Sequence, residues 1–230
     1  FERVDSGERR FGSARHADAH IALGSFHAEV IDHVGRLLGR TQGADAATGL
    51  FFFFIDSDDY VHPLFAEILF REAITTDSDI VECRAVELSE EGRPIRFNGA
   101  MHAQPADGAQ ASQAYFNGSL SIVLWNKLYS RELWFASRDH NDIDIGLTVT
   151  EDTLRNTFLF PRARRYSAVE DCLYFYCRRG SSVVKGGNLE RLRAKLDDIA
   201  TSYARSWEHA RDVLADRHAL LRLEARRCDD

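Results

Sequence analysis

The chain has 230 residues, 44% of them hydrophobic, and a formal net charge of −7. This length and apolar content suffice for one large α/β domain, or for one domain with a helical appendage. The acidic balance argues against nucleic-acid binding as the main function. No stretch approaches the roughly 18 apolar residues that span a bilayer, and no signal peptide is recognisable.

The N-terminal region carries the weakest pattern. Residues 4–8 and 26–31 are predicted strands, but the segment between them shows no clear apolar face. Several histidines occur here, yet only His16 and His20 have an i, i+4 spacing, so a histidine metal site is disfavoured. Because the sequence starts at Phe1, we expect part of the natural N-terminus to precede it.

Residues 34–49 are rich in Gly and Ala and predict a loop and a short helix. Their glycines form neither a GxGxxG nor a Walker loop, so a dinucleotide-binding or P-loop fold is not supported. Arg36 and Arg40 are candidates for a phosphate contact, with a solvated helix face as the alternative. The four cysteines of the chain lack CxxC or zinc-type spacing and indicate ordinary thiols in a reducing compartment.

Residues 50–63, LFFFFIDSDDYVHP, are the feature around which the sequence is organised. The apolar run predicts a fully buried strand, since only a strand covered on both faces is apolar at every position. Asp56, Asp58 and Asp59 follow it, at the strand end where open α/β sheets place their ligands. A divalent cation that carries phosphate would balance their mutual repulsion. The alternative is a polar turn before a helix N-terminus.

A helix is predicted next, over residues 64–74, because its apolar residues recur at helical spacing. Residues 79–88 alternate as a strand does. Together the two strands and the helix predict a parallel pair joined by a right-handed crossover. The turn-rich residues 89–111 predict a loop excursion with a hairpin about Asn98-Gly99.

Residues 122–129, IVLWNKLY, follow a predicted helix at 109–117 and are apolar except for Asn126 and Lys127. Burial of these two polar side chains costs desolvation unless they are paired, so they are candidate site residues. The alternative is that Trp125 and Tyr129 are core residues and that Lys127 extends its ammonium group to solvent.

The C-terminal third begins with Glu151-Asp152, which precedes a predicted helix at 153–160. An acidic pair at that position is often only a helix cap. Residues 166–176 predict a strand with a bend near Glu170-Asp171. From residue 188 onward, apolar spacing predicts two amphipathic helices that pack on the domain or on a partner.

Residues 39–63, GRTQGADAATGLFFFFIDSDDYVHP, resemble the family 2 glycosyltransferase segment usually written ARNxGxxxAxGxYxxFLDSDDxxxP. The resemblance continues in that family's order through DSDIVECR at 77–84, WNKLYSREL at 125–133, ED at 151–152 and LYFYCRRGSSV at 173–183. It covers roughly residues 32–185. A single DxD is a weak signal, whereas several segments in the family's order are a specific one.

The resemblance implies a GT-A fold, a Rossmann-like α/β domain whose mixed, mostly parallel sheet is flanked by helices. We expect this domain at residues 1–185 and a C-terminal helical extension at 186–230. Family members bind a nucleotide-diphosphosugar through Mg²⁺ or Mn²⁺ on the DxD motif, which stabilises the leaving diphosphate. By position, Asp58 is then the metal ligand, Asp56 contacts metal or ribose, and Arg40 belongs to the donor site.

The family's usual general base is the Asp of the later ED pair, a role that the resemblance assigns to Asp152. This carboxylate would take the proton of the acceptor hydroxyl as its oxygen attacks the anomeric carbon, with inversion. Glu170-Asp171 is the competitor and ranks second, because the family has no catalytic residue at that place. Trp125, Asn126 and Lys127 are assigned to acceptor binding.

The start of the chain departs from the family pattern. Members open with a strand and a PVYN-like loop, followed by VDDGSTD, which hold the nucleotide base. Here only VDSGE at 4–8 is similar, with Asp5 in the place of the first Asp and Ser6 in that of the second. We therefore expect the first strand to be absent through truncation or divergence, and Asp5 to contact the donor.

The resulting hypothesis is a transferase of bacterial envelope polysaccharide synthesis. It would use a UDP- or GDP-linked sugar and a glycan or lipid-linked acceptor, at the cytoplasmic face of the membrane. The C-terminal helices are candidates for peripheral membrane contact or homo-oligomerisation. Two alternatives stay open. A degenerate member would keep the fold and only bind a partner. A haloacid-dehalogenase-like phosphohydrolase also places DxD after a strand, but requires Gly-Thr where Asp59-Tyr60 stand.

Overall fold

The structure is a computed structural model that describes residues 19–23, 26–33, 43–56, 58–99, 105–137, 150–178 and 189–213. The predicted strand at residues 4–8 lies outside the described residues, and so do the predicted donor-site residues Asp5 and Arg40.

The described chain contains both strands and helices, in mixed order. The strands are β1 (Ala19–Leu23), β2 (Phe26–His33), β3 (Phe51–Asp56), β4 (Tyr60–Val61), β5 (Ile80–Leu88), β6 (Pro94–Asn98), β7 (Ala106–Asp107), β8 (Lys127–Ser130) and β9 (Arg165–Cys177). The helices are α1 (Phe65–Thr76), α2 (Gly108–Phe116), α3 (Arg131–Ala136), α4 (Glu151–Leu159) and α5 (Leu189–Val213), with a 3-10 turn at Phe160–Arg162.

The strands form one mixed sheet in the order β1-β2-β3-β8-β5-β9-β4, with β6 added to β5 and β7 added to β9. The expected mixed α/β architecture is confirmed. Among the described strands, β2 with β3 and β5 with β9 pair in parallel, and the remaining pairs are antiparallel. Parallel pairing is therefore the minority in this part of the sheet.

The predicted pairing of β3 with β5 is wrong, although both strands and the helix between them exist. The two strands run in the same direction but are separated by β8, which pairs antiparallel with both through Leu128. Periodicity within a segment shows that a strand forms, but neighbour choice depends on a four-residue strand far along the chain.

The predicted hairpin about Asn98-Gly99 is also misplaced. β5 and β6 do form an antiparallel hairpin, but its turn lies at Ser89, whose N–H donates to the Arg93 carbonyl at 2.8 Å. Gly99 follows the end of β6 with φ +106°. An Asn-Gly pair signals a position that requires positive φ, and here that position is a close backbone approach rather than a tight turn.

The bend predicted near Glu170-Asp171 is confirmed. Along β5 and β9 the pairing runs Cys83 with Val169 and then Arg84 with Cys172, so that residues 170 and 171 form a bulge. The helix predicted at 109–117 is α2, and the helix predicted after Glu151-Asp152 is α4.

The four-Phe run is apolar at every position because β3 is covered on both faces. Phe52 and Phe54 face one hydrophobic cluster, and Phe53 faces the other. Trp134 packs on Phe52 with ring centroids 5.2 Å apart, while Phe65 of α1 packs on Phe53 at 4.9 Å. The prediction of a doubly covered strand is therefore confirmed.

The C-terminal helix α5 packs on α4. Its Tyr203 and Ala210 are buried in the same cluster as Phe52, and its Ser202 hydroxyl donates to the Thr150 carbonyl at 3.1 Å. Leu196, seven residues before Tyr203 on the same helix, is 56% exposed. The boundary between residues 1–185 and 186–230 stays a prediction, as does the second C-terminal helix, which falls outside the described residues.

Candidate active site

Strand direction gathers the predicted site residues at one edge of the sheet. β3 and β5 run in the same direction, β9 is parallel to β5, and β8 runs oppositely. One edge of the sheet, formed by strand ends, therefore brings together the carboxyl ends of β3, β5 and β9 and the start of β8. Asp56 ends β3 and Lys127 begins β8. This is the edge at which α/β proteins place their ligands.

The acidic turn after β3 is tied to β9. The Asp59 amide donates to the Asp56 carbonyl at 2.9 Å. One carboxylate oxygen of Asp59 accepts from the Tyr174 hydroxyl at 2.8 Å, and the other accepts from the Cys177 amide at 2.7 Å. Asp59 thus anchors the turn, and Asp56 and Asp58 stay the predicted ligand carboxylates.

Negative charge is concentrated in this turn. Burial and the charges of Asp56 and Asp58 raise the pKa of Asp59 to about 7, against the opposing hydrogen bonds from Cys177 and Tyr174. A carboxylate cluster of this kind is stabilised by a bound cation.

The donor set suits a hard divalent cation. Asp56 and Asp58 are half-buried carboxylates separated by one residue. Within the described ranges, no group of three potential ligands is arranged to hold a metal ion by itself. Mg²⁺ is typically bound by one or two carboxylates together with substrate phosphates and water. The residues present therefore fit a cation that arrives with a diphosphate, and the Mg²⁺ or Mn²⁺ site stays a prediction.

Asp152 lies in the first turn of α4, two residues after Thr150, whose backbone is left-handed at φ +61°. Its Oδ2 accepts from the Leu124 amide at 3.0 Å. The predicted general base is thereby attached to the segment that precedes β8. The competing pair Glu170-Asp171 is exposed on the bulge of β9.

Asn126 and Lys127 lie in a fully buried polar cluster with Glu82. The Lys127 ammonium is 3.4 Å from Glu82 Oε2 and donates to Asn126 Oδ1 at 2.9 Å. Asn126 Nδ2 donates to the Cys83 carbonyl at 3.0 Å and to Glu82 Oε1 at 3.3 Å. Tyr166 completes the cluster through a hydroxyl bond to Glu82.

The interpretation in which Lys127 reaches solvent is wrong, because its side chain is 0% exposed. Burial lowers the pKa of Lys127, and the Glu82 carboxylate opposes that shift. Asn126 and Lys127 could be buried without a large desolvation cost only if they had polar partners, and these partners are present. Their role in acceptor binding stays a prediction.

Tyr174 is a site residue that the sequence analysis missed. Its hydroxyl accepts from the Asp56 amide at 3.1 Å while it donates to Asp59. Its ring stacks on Trp125 with centroids 4.3 Å apart. The acidic turn is therefore joined through Tyr174 to Trp125, the neighbour of Leu124. The available signal was an aromatic residue at the end of a predicted strand, which by itself also fits a core position.

A cavity of about 520 Å³ lies beside the segment that contains Trp125. Trp125 lines it together with Phe97 and Gly99 at the end of β6, and Tyr203 of α5 contributes to its wall. Ser119 and Ser121 supply hydroxyl groups. A second cavity, of about 720 Å³, lies around Asp79 and Arg164 at the opposite edge of the sheet, away from the acidic turn.

The mixed sheet with its flanking helices is a GT-A fold. The fold resembles the crystal structure of S. aureus TarS 1-349, solved in complex with UDP-GlcNAc, with a TM-score of 0.51 and 19% identity over 74% of this chain and 50% of that one.

The chain belongs to glycosyl transferase family 2, whose family model it matches over residues 4–137. The predicted family is thereby confirmed, and the phosphohydrolase alternative is set aside. No helix in the described part of the chain is long and apolar enough to cross a membrane.

Several curated relatives are glycosyltransferases by name. The chain is 33% identical over 147 residues to the putative glycosyltransferase EpsH of Bacillus subtilis, covering 64% of this chain and 42% of EpsH. It is 26% identical over 186 residues to the uncharacterized glycosyltransferase YibD of Escherichia coli, covering 72% and 51%. The chain spans about half the length of the curated relatives it matches.

Proposed function

We propose that this chain carries the donor site and general base of an inverting, metal-dependent glycosyltransferase. The enzyme would move a sugar from a nucleotide-diphosphosugar to a hydroxyl of a glycan or lipid-linked acceptor in bacterial polysaccharide synthesis. The observation that supports this best is the contact series from Asp59 through Tyr174 to Trp125. It places the acidic turn beside the segment whose Leu124 amide binds Asp152.

Donor binding would use the acidic turn. Asp56 and Asp58 would hold Mg²⁺ or Mn²⁺, which when bound neutralises charge on the departing diphosphate. Asp59 keeps the turn in place through Tyr174 and Cys177. A UDP-linked sugar is the donor to test first, because TarS, which shares the fold, was solved with UDP-GlcNAc.

The chemical step would use Asp152. Its carboxylate removes the proton of the acceptor hydroxyl while that oxygen forms a bond to the anomeric carbon. The bond from that carbon to the diphosphate oxygen breaks on the opposite face, so the configuration inverts. The Leu124 amide orients Asp152 by binding Oδ2. Orientation matters because a displacement of about 1 Å costs on the order of 100-fold in rate.

The acceptor would enter the 520 Å³ cavity. Trp125 and Phe97 offer aromatic surface there, Ser121 offers a hydroxyl group, and Arg96 offers a positive charge at the rim. Aromatic faces with a few polar groups suit a sugar, which has both apolar and hydroxyl-bearing surface.

Calorimetric titration of UDP and then GDP, with and without Mn²⁺, tests the donor site. We expect Mn²⁺-dependent binding of one nucleotide, and its loss in Asp58→Asn because the cation loses a carboxylate ligand. Asp77→Asn is the matched control. Asp77 is exposed, lies at the other edge of the sheet, and has a left-handed backbone that Asn tolerates, so nucleotide binding should be unchanged.

The rate of sugar transfer tests whether Asp152 is the general base. Asp152→Asn should bind nucleotide as the unchanged chain does and should lose sugar transfer. Full activity in this variant would exclude Asp152 as the base. Absence of nucleotide binding in the unchanged chain would instead support the alternative of a non-catalytic member.

A further inference from the structure

The segment Ile122 to Trp125 is held from several sides. The Lys127 ammonium donates to the Val123 carbonyl at 2.7 Å. Asn156 of α4 donates from Nδ2 to the Ile122 carbonyl at 2.7 Å. Leu124 in turn donates its amide to Asp152 Oδ2 at 3.0 Å. The Ile122 and Val123 carbonyls thus accept from side chains, and the Leu124 amide holds the predicted base.

The ion pair between Lys127 and Glu82 has a high desolvation cost. Lys127 and Glu82 are both 0% exposed, and removal of two charges from water costs several kcal/mol per ion before their attraction is counted. Replacement of buried ion pairs by neutral groups is often neutral or stabilising. Stability alone therefore does not account for a buried Lys-Glu pair at this position.

We propose that Lys127, held by Glu82 and Asn126, is a positioning residue for the base. It holds the Val123 carbonyl, which sets the direction of the adjacent Leu124 amide and so the orientation of the Asp152 carboxylate. This inference rests on the proposed function. It gives Lys127 a role through the protein backbone, without contact to substrate.

The test compares the unchanged chain with Lys127→Met and with the double variant Glu82→Gln, Lys127→Met. The single variant leaves Glu82 as a buried charge without its ammonium partner, and we expect it to fold poorly. The double variant removes both charges and should fold, but its Val123 carbonyl loses the 2.7 Å bond from Lys127 and keeps only the longer bond from Asn156 Nδ2, at 3.4 Å. Any loss of function in the double variant is then separate from a loss of folding.

Two measurements are made on the folded double variant. The first is UDP release from UDP-N-acetylglucosamine with Mn²⁺ and water as acceptor, where we expect kcat to fall about 100-fold with KM unchanged. The second is hydrogen exchange at the Leu124 amide, which should become faster because its bond to Asp152 is weakened.

Asp79→Asn is the matched control, since Asp79 is a buried carboxylate at the other edge of the sheet. It accepts from the Arg164 amide at 2.7 Å and from the Ser130 hydroxyl at 3.2 Å. This variant should lower the melting temperature without a change in kcat or in exchange at Leu124.

The outcomes separate this inference from the proposed function. A folded double variant with unchanged kcat, or with unchanged exchange at Leu124, would overturn the role of Lys127. If the unchanged chain binds neither UDP nor GDP, and releases neither from its nucleotide sugar, the proposed function fails, and the catalytic part of this inference fails with it. The exchange comparison then still decides whether Lys127 holds the segment.

Discussion

Tyr174 shows how much of the candidate site depends on one side chain. Its hydroxyl contacts the backbone of Asp56 and the carboxylate of Asp59, and its ring stacks on Trp125. Burial raises the pKa of this phenol far above its usual value, and the neighbouring carboxylates raise it further. Tyr174 therefore stays protonated and continues to donate to Asp59 over the working pH range.

The variant Tyr174→Phe keeps the ring and removes the hydroxyl. We expect UDP affinity in the presence of Mn²⁺ to fall about 10-fold, equivalent to about 1.4 kcal/mol, because the acidic turn loses one anchor. Calorimetry measures the change. Tyr115→Phe is the control, since it removes a buried hydroxyl that bonds the Thr153 carbonyl at 2.8 Å, away from the turn. Equal UDP affinity in Tyr174→Phe would contradict the anchoring role.

Among the structural elements, the β5–β6 hairpin forms one side of the cavity. Gly99 follows the end of β6 and permits close packing of the hairpin, because its α-carbon lies against β5. A Cβ at Gly99 would lie 2.8 Å from the Cys83 carbonyl oxygen and 3.0 Å from the Arg84 Cα. Both contacts are with backbone, so the hairpin itself has to move to admit a side chain.

Gly99→Ala should therefore destabilise the chain more than Gly92→Ala. Both positions have positive φ and share a cost of about 1 kcal/mol, but Gly92 has open space around it. The backbone clash at Gly99 should add about 1–3 kcal/mol. Urea unfolding measures the two free energies. Equal values would show that the hairpin adjusts without cost.

Helix α5 supports the helix that carries the predicted base. Ser202 bonds the carbonyl of Thr150, Ser206 bonds the hydroxyl of Thr157, and the His209 ring packs on Phe158 at 4.3 Å. Two of these contacts are made by small serine side chains that are 0% exposed. The small residues let the two helices approach closely.

A larger side chain at this contact should separate the helices. Ser206→Leu should lower the free energy of unfolding by about 1–3 kcal/mol, because a close-packed interface does not accommodate the added volume. Ala204→Leu, on the exposed face of α5, should change it by less than about 0.5 kcal/mol. Thermal and urea unfolding of both variants decide the matter. An equal effect at both positions would refute tight packing of α5 on α4.

For the molecule as a whole, ligand binding at the edge of the sheet should stabilise the fold. At 100 times its dissociation constant, a ligand adds about 2.7 kcal/mol. For a chain of this size, UDP with Mn²⁺ should then raise the melting temperature by about 5–10 °C. Calorimetric scans with and without EDTA measure this, and chelation should remove the increase. A shift that persists in EDTA, or in Asp58→Asn, would exclude the predicted metal site.

Prediction from sequence succeeded where local pattern and burial coincide. The Phe run predicted β3 because a strand covered on both faces has no polar position, and α1 and β5 followed from helical and alternating spacing. The bend predicted near Glu170-Asp171 corresponds to the bulge in β9.

Prediction failed where a residue's role depends on a distant partner. The position of β8 between β3 and β5 is set by pairing across long stretches of chain. The burial of Lys127 depends on Glu82, which lies 45 positions earlier in the sequence. The role of Tyr174 depends on the turn at Asp56 and Asp59, more than a hundred residues away.

The sequence by itself determined the family, the acidic turn after a buried strand, most of the described helices and the four longest described strands. These follow from short-range order, since residue type and spacing act over a few positions. Only the tertiary structure decided that Tyr174 joins the acidic turn to Trp125 and that Lys127 lies beneath the segment that binds Asp152. Such contacts arise when the sheet brings distant strand ends to one edge, and no local pattern records which ends will meet.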